Sequence, residues 1–139
     1  MVESVRSLAL EVLSEQECRD LLLRRDLGRI AFSVGEQPEI YPVNYSTDGS
    51  VIVFRTAEGA RLQMSLMRRV AFEADGWNPE TGVGWSVMVR GIAQEITGGL
   101  DPHAAALRKL PAVPLAPGRR ELWIAVYPSE VSGRRFNLP

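Results

Sequence analysis

The sequence predicts a mainly β, α+β domain built as a small antiparallel β-barrel capped by short helices. Three observations carry that expectation. Short runs such as 29–34 (RIAFSV) and 85–96 (WSVMVRGIAQEI) alternate apolar with polar residues at the period of two that half-buried strands require. Turn-forming residues separate them, among them Gly35-Glu36-Gln37-Pro38 and Asp48-Gly49. Helix signals are few and brief, so six or seven strands and two or three helices must share one core, which favours a barrel with helical caps.

Taken in order, Val5, Leu8, Leu10 and Val12 alternate and suggest an N-terminal strand or arm. Ser14 followed by Glu17 forms a capping-box pattern that opens a helix over 15–24, with Leu21, Leu22 and Leu23 on its apolar face. Strands follow over 29–34, 39–45 and 51–54, folded back on one another as a meander. A short helix is expected over 60–67 and a fourth strand over 69–74. Residues 76–84 are so rich in turn formers that no regular structure is expected there. The long strand 85–96 contains Gly91, a glycine placed where a bulge bends a strand. Asp101 and Pro102 then mark a helix start, running to Leu110. Beyond three prolines, 121–127 reads as a strand ended by Pro128, and 131–136 as a separate short one.

Composition narrows the function. A chain of 139 residues with a net charge of −1 and no polybasic tract fits one domain, without the basic footprint of a nucleic-acid binder or of a protein held on anionic membranes. No apolar run approaches a membrane span, and the N-terminus lacks the apolar core of a signal peptide, so a cytoplasmic protein is expected. Cys18 and His103 are single, which excludes an internal disulfide and a recognisable zinc site; no metal is expected. Cys18 is expected to pack in its helix and His103 to lie on the surface.

The densest functional signal is 41–62, YPVNYSTDGSVIVFRTAEGARL, which reads as a cofactor platform. Arg55, Thr56, Gly59 and Arg61 follow a strand end directly, and Leu62 opens the next helical run. Arginine forks and a hydroxyl match phosphate oxygens, and a helix N-terminus behind them adds a favourable dipole, so the cluster suits a phosphate monoester. Trp77, Trp85 and Trp123 are candidates for a ring-binding cleft, although aromatic strand residues more often serve the core. Glu73 and Asp75 are expected on a solvated face or as ion partners of Arg68 and Arg69, with no acid–base role; no catalytic residue is identified.

Assembled in order, GRIAFS (28–33), YPVNY (41–45), VFRTAEGARL (53–62), VAFEAD (70–75), GWSVMVRGIAQEI (84–96) and WIAVYPSEVSGRRF (123–136) resemble the pyridoxamine 5'-phosphate oxidase-like family of flavin-binding split barrels. The resemblance implies a single domain over 1–139, a six-stranded antiparallel split barrel, and a homodimer holding FMN in clefts between subunits. It assigns Val43, Asn44 and Tyr45 to the flavin ring, Arg55 and Thr56 to its phosphate and ribityl chain, and Arg61, with adjoining Leu62, to the phosphate. Ser86, beside Trp85, would touch the flavin of the neighbouring subunit. The implied activity is hydride transfer to or from a small organic substrate. The C-terminal segment, where Arg134-Arg135 is only a loose counterpart of the family's substrate-phosphate grip, argues against vitamin B6 oxidation. Coenzyme F420 in place of FMN, or a non-catalytic flavin- or haem-binding role, are the alternatives.

Overall fold

Alternation along each strand sorts side chains into an inner and an outer set, and in the computed structural model, which describes residues 10–57, 68–114 and 121–137, that sorting closes a barrel. The elements are β1 (Leu10–Val12), α1 (Glu15–Leu22), β2 (Leu27–Val34), β3 (Gln37–Thr47), β4 (Ile52–Ala57), β5 (Arg69–Asn78), β6 (Val83–Glu95), α2 (Pro102–Leu107) and β7 (Glu121–Asn137). The strands run in the order β1-β7-β4-β3-β2-β5-β6, and β6 also pairs with β7. That last pairing joins β2 to β7 into a ring of six, with β1 as a three-residue addition on the edge of β7. The expected helix over 60–67 and the first nine residues lie outside the described residues.

Inward residues Ile30, Phe54, Phe72, Val87 and Ile124 are at most 1% exposed and fill the barrel. Burying each such side chain contributes roughly 1.5–3 kcal/mol. Outward residues Val51, Val53 and Ala125 form a second cluster, covered by Ala104 and Leu107 of α2. Antiparallel pairing follows from the short turns; between β3 and β4 the Asp48 Oδ1 accepts the N–H groups of Ser50 and Val51, both at 2.8 Å.

α1 forms as its capping box dictates. The Glu17 N–H donates to Ser14 Oγ at 3.1 Å and the Ser14 N–H to Glu17 Oε1 at 3.0 Å. Cys18, Leu21 and Leu22 then face the barrel core, and burial pushes the Cys18 thiol up. A single hydrogen bond ties this helix to β3: the buried Tyr45 hydroxyl donates to the Leu22 carbonyl at 2.6 Å. Burial also lifts the Tyr45 phenol well above its usual range. Tyr45→Phe leaves that carbonyl buried without its donor and is expected to cost about 1–2 kcal/mol in chemical denaturation, with the slope unchanged. A loss under about 0.3 kcal/mol would show the bond to be dispensable.

Two expected boundaries are corrected. Residues 76–84 are not irregular: β5 continues through Asn78 and β6 starts at Val83, because Gly76, Trp77 and Asn78 find cross-strand partners in Trp85, Gly84 and Val83. Only 79–82 turn, with Gly82 at φ 73° and the Glu80 N–H donating to Asn78 Oδ1 at 2.9 Å. Likewise 121–127 and 131–136 are one strand. The register steps from Arg90↔Glu130 to Gly91↔Pro128, leaving Ser129 as the extra residue of a bulge. Pro128, with no N–H to donate, therefore sits where the ladder is already interrupted, and the Ser129 hydroxyl donates to the Arg90 carbonyl at 3.1 Å.

Candidate functional site

The ladder between β3 and β4 is short. It runs only through Tyr45↔Phe54, Ser46↔Val53 and Thr47↔Ile52. Beyond it β3 stays on β2 through Asn44↔Leu27 to Gln37↔Val34, while β4 stays on β7 through Arg55↔Trp123 to Ala57↔Glu121. The wall of the barrel thus parts between them. One lip is 40–44 of β3 and the other 55–57 of β4, each with main-chain groups that the ladder does not use. Pro42 on the first lip has no N–H and suits an edge better than an interior strand. Such an edge offers hydrogen-bond donors and acceptors to a flat polar molecule.

Arg55 and Thr56 stand on the second lip. Since Ile52 and Phe54 point inward, Val53 and Arg55 point outward, and Arg55 lies over its cross-strand neighbour Trp123, its Cζ 5.1 Å from the ring centroid. Its Nη1 donates to the Ala112 carbonyl at 3.2 Å. The segment carrying Ala112 is placed by α2, which is capped by Asp101 and pinned where the Arg108 Nη1 donates to the Ile96 carbonyl at 2.7 Å. Aromatic face, carbonyl and helix together hold a half-buried cation at the rim of the split.

On the first lip, Val43 and Tyr45 are 6% and 3% exposed, with side chains in the core and main chain turned to β2, where the Tyr45 N–H donates to the Asp26 carbonyl at 2.9 Å; Asn44 between them is half-buried. Trp85 and Ser86 lie on β6, opposite Arg135 and Arg134 near one end of β7, whereas Arg55 stands opposite Trp123 near the other end, so a single chain does not bring them to the split. The Trp85 indole packs over Gly76, where an added Cβ would meet its Nε1 at 2.4 Å. Ser86 stands between Asp75 and Arg134 in the ladder. Arg61 and Leu62 lie outside the described residues.

The partner expected for Glu73 and Asp75 is corrected. Arg29, set opposite Glu73 by the β2–β5 register, donates from Nη1 to Glu73 Oε1 at 2.9 Å and Asp75 Oδ2 at 3.3 Å; Arg68 and Arg69 do neither. Burial and the adjacent Asp75 raise the Glu73 carboxyl above its usual range, against the pull of Arg29. Among the described residues no cluster of three or more His, Cys, Asp or Glu could hold a metal, and no helix is long and apolar enough to cross a membrane.

A family model described as pyridoxamine 5'-phosphate oxidase matches residues 14–135, nearly the whole of this barrel. The chain belongs to the pyridoxamine 5'-phosphate oxidase family. It is 30% identical over 130 residues to the uncharacterized protein Rv0080 of Mycobacterium tuberculosis, covering 89% of this chain and 84% of that one. The FAD binding protein from Mycobacterium smegmatis superposes with a TM-score of 0.77 at 35% identity, over 91% of this chain and 98% of its own. A fad-binding protein from Mesorhizobium loti, at 20% identity and a TM-score of 0.75, covers 92% of this chain and 97% of its own and shares the fold. A pyridoxamine 5'-phosphate oxidase-family barrel thus accounts for the six-strand ring. The Trp123 platform under Arg55 was missed as a specific partnership. Its signal was available only as a register, since Arg55 and Trp123 are 68 positions apart.

Proposed function

We propose that this family member binds FMN along the split between β3 and β4 in a homodimer, and serves as a flavin-dependent oxidoreductase on a small organic substrate. The observation that carries this reading is the parted wall: on one lip a β3 edge that β4 has left, on the other a braced arginine. The residues present suit the cofactor. A flat ring with a polar edge matches the N–H and C=O groups of 40–44, and a phosphate matches the fork of Arg55 beside Thr56, with Arg61 and Leu62 following in sequence. When bound, the flavin supplies the hydride-transfer chemistry. The chain orients the ring along β3, holds the tail at Arg55, and shields both behind the α2 segment.

A second copy is needed to complete the site in this reading. Ser86 and Trp85 stand at the far end of β7 from the split on their own barrel, so they reach a flavin only from a partner. Exposed Ile40 and Ile92, at 64% and 37%, give the outer face an apolar surface for that partner. A cytoplasmic location goes with this reading. FAD is the second cofactor reading, favoured by the FAD binding protein at 35% identity.

The test is a fluorescence and visible-spectrum titration of cofactor-free protein with FMN, FAD and F420. Dissociation constants at or below the micromolar range are expected for FMN. If none of the three binds, the reading is wrong. Turnover with NAD(P)H or reduced F420 then distinguishes an oxidoreductase from a carrier.

A further inference from the structure

A second recess lies away from the split, on the outer face of β2, β5 and β6, with a volume of about 690 Å³. Its shape comes from small residues. Ala31 and Ala71 are direct cross-strand partners, Gly91 follows on β6, and the larger Ile92 and Pro38 stand around them. Its chemistry comes from arginine. Arg68, Arg69 and Arg90 all line it, and Arg68 and Arg69 are exposed and meet no carboxylate among the described residues. Arg90 is paired with Glu130 at 2.8 Å, with both side chains more than half exposed, a surface pair that yields readily to a stronger anion. The opposing charges are Glu130 and Glu39, whose Oε1 accepts from the Tyr41 hydroxyl at 2.7 Å. In a chain whose net charge is −1, three guanidinium groups converging on one concave surface are a local reversal of sign.

We propose that this recess is a polyanion site, taking a diphosphate-like group of a small molecule. Its size lies within the range of small-molecule sites, and clustered guanidinium forks match the spaced oxygens of such a group. Along β3, Glu39 at the recess and Asn44 at the split are about 16 Å apart at about 3.3 Å per residue. Two sources share the chemistry, the diphosphate of a dinucleotide cofactor lying along β3 and a separate polyanion. The proposal does not depend on flavin binding.

Inorganic pyrophosphate is the probe, titrated calorimetrically into the full chain with and without saturating FMN. Wild-type protein is expected to bind it, and the Arg68→Glu/Arg69→Glu double variant to bind on the order of tenfold more weakly, with FMN affinity unchanged. Arg68→Gln/Arg69→Gln, with the same melting temperature as wild type, gives an intermediate loss and guards against misfolding. Selective loss of FAD over FMN in the double variant assigns the recess to a dinucleotide; loss of pyrophosphate with both flavins unaffected assigns it to a separate ligand. No pyrophosphate binding by the wild type overturns the proposal. So does unchanged binding in the reversal, including the case in which the reversal only splits a dimer and the arginines belong to a subunit contact.

Discussion

Arg55→Glu is expected to weaken FMN binding by about a hundredfold or more, equivalent to about 2.7 kcal/mol. A charge-assisted hydrogen bond to phosphate contributes roughly 1.5–3 kcal/mol, and the substituted carboxylate adds repulsion at the same point. The half-buried position keeps salt from screening the interaction as it would an exposed cation. Arg55→Lys preserves the charge but loses the fork and the fit over Trp123, so about a tenfold loss is expected there. Fluorescence titration at two salt concentrations reads both variants, with melting temperatures confirming that the barrel stays folded. An affinity within twofold of wild type for Arg55→Glu would remove Arg55 from the cofactor site and, with it, the functional assignment of the split.

Among stability effects the largest is expected at Gly91. A Cβ built there would lie 2.2 Å from the Tyr127 carbonyl oxygen and 3.0 Å from the Pro128 Cα, both main-chain atoms with no rotamer to yield. Strands β6 and β7 would have to separate at the bulge where the ring of six is joined. Gly91→Ala should therefore cost about 3 kcal/mol or more and lower the melting temperature by about 10 °C. Gly98→Ala is the control, because a Cβ there meets nothing within 4 Å, and a change within about 0.5 kcal/mol is expected. Equal melting temperatures for the two variants would mean that the bulge deforms freely.

Much of this fold was legible along the chain because its causes are local. Period-two alternation marked β2 and β6, β-branched and aromatic runs around Asp48-Gly49 marked β3 and β4, the Ser14 and Glu17 pair marked the start of α1, and Asp101-Pro102 that of α2. Gly91 marked the level of the bulge, although its extra residue, Ser129, lies on β7. Where expectation failed, the deciding partner lay elsewhere in the sequence. Turn formers at 76–78 extend β5 because 83–85 pair with them, and Pro128 does not end β7 because β7 bulges beside it, at Ser129, and resumes its pairing with β6.

The candidate site divides in the same way. Residue chemistry singled out Arg55-Thr56, the family resemblance added Val43 to Tyr45, and the sequence placed both in adjoining strands, since a hairpin turn between them is a local event. That β3 and β4 part beyond Tyr45 and Phe54, that Trp123 and Ala112 brace Arg55, and that Arg29 rather than Arg68 or Arg69 meets Glu73 are outcomes of register. Register is chosen by the whole barrel at once, as every strand must bury its apolar face together, and no window of sequence contains that constraint.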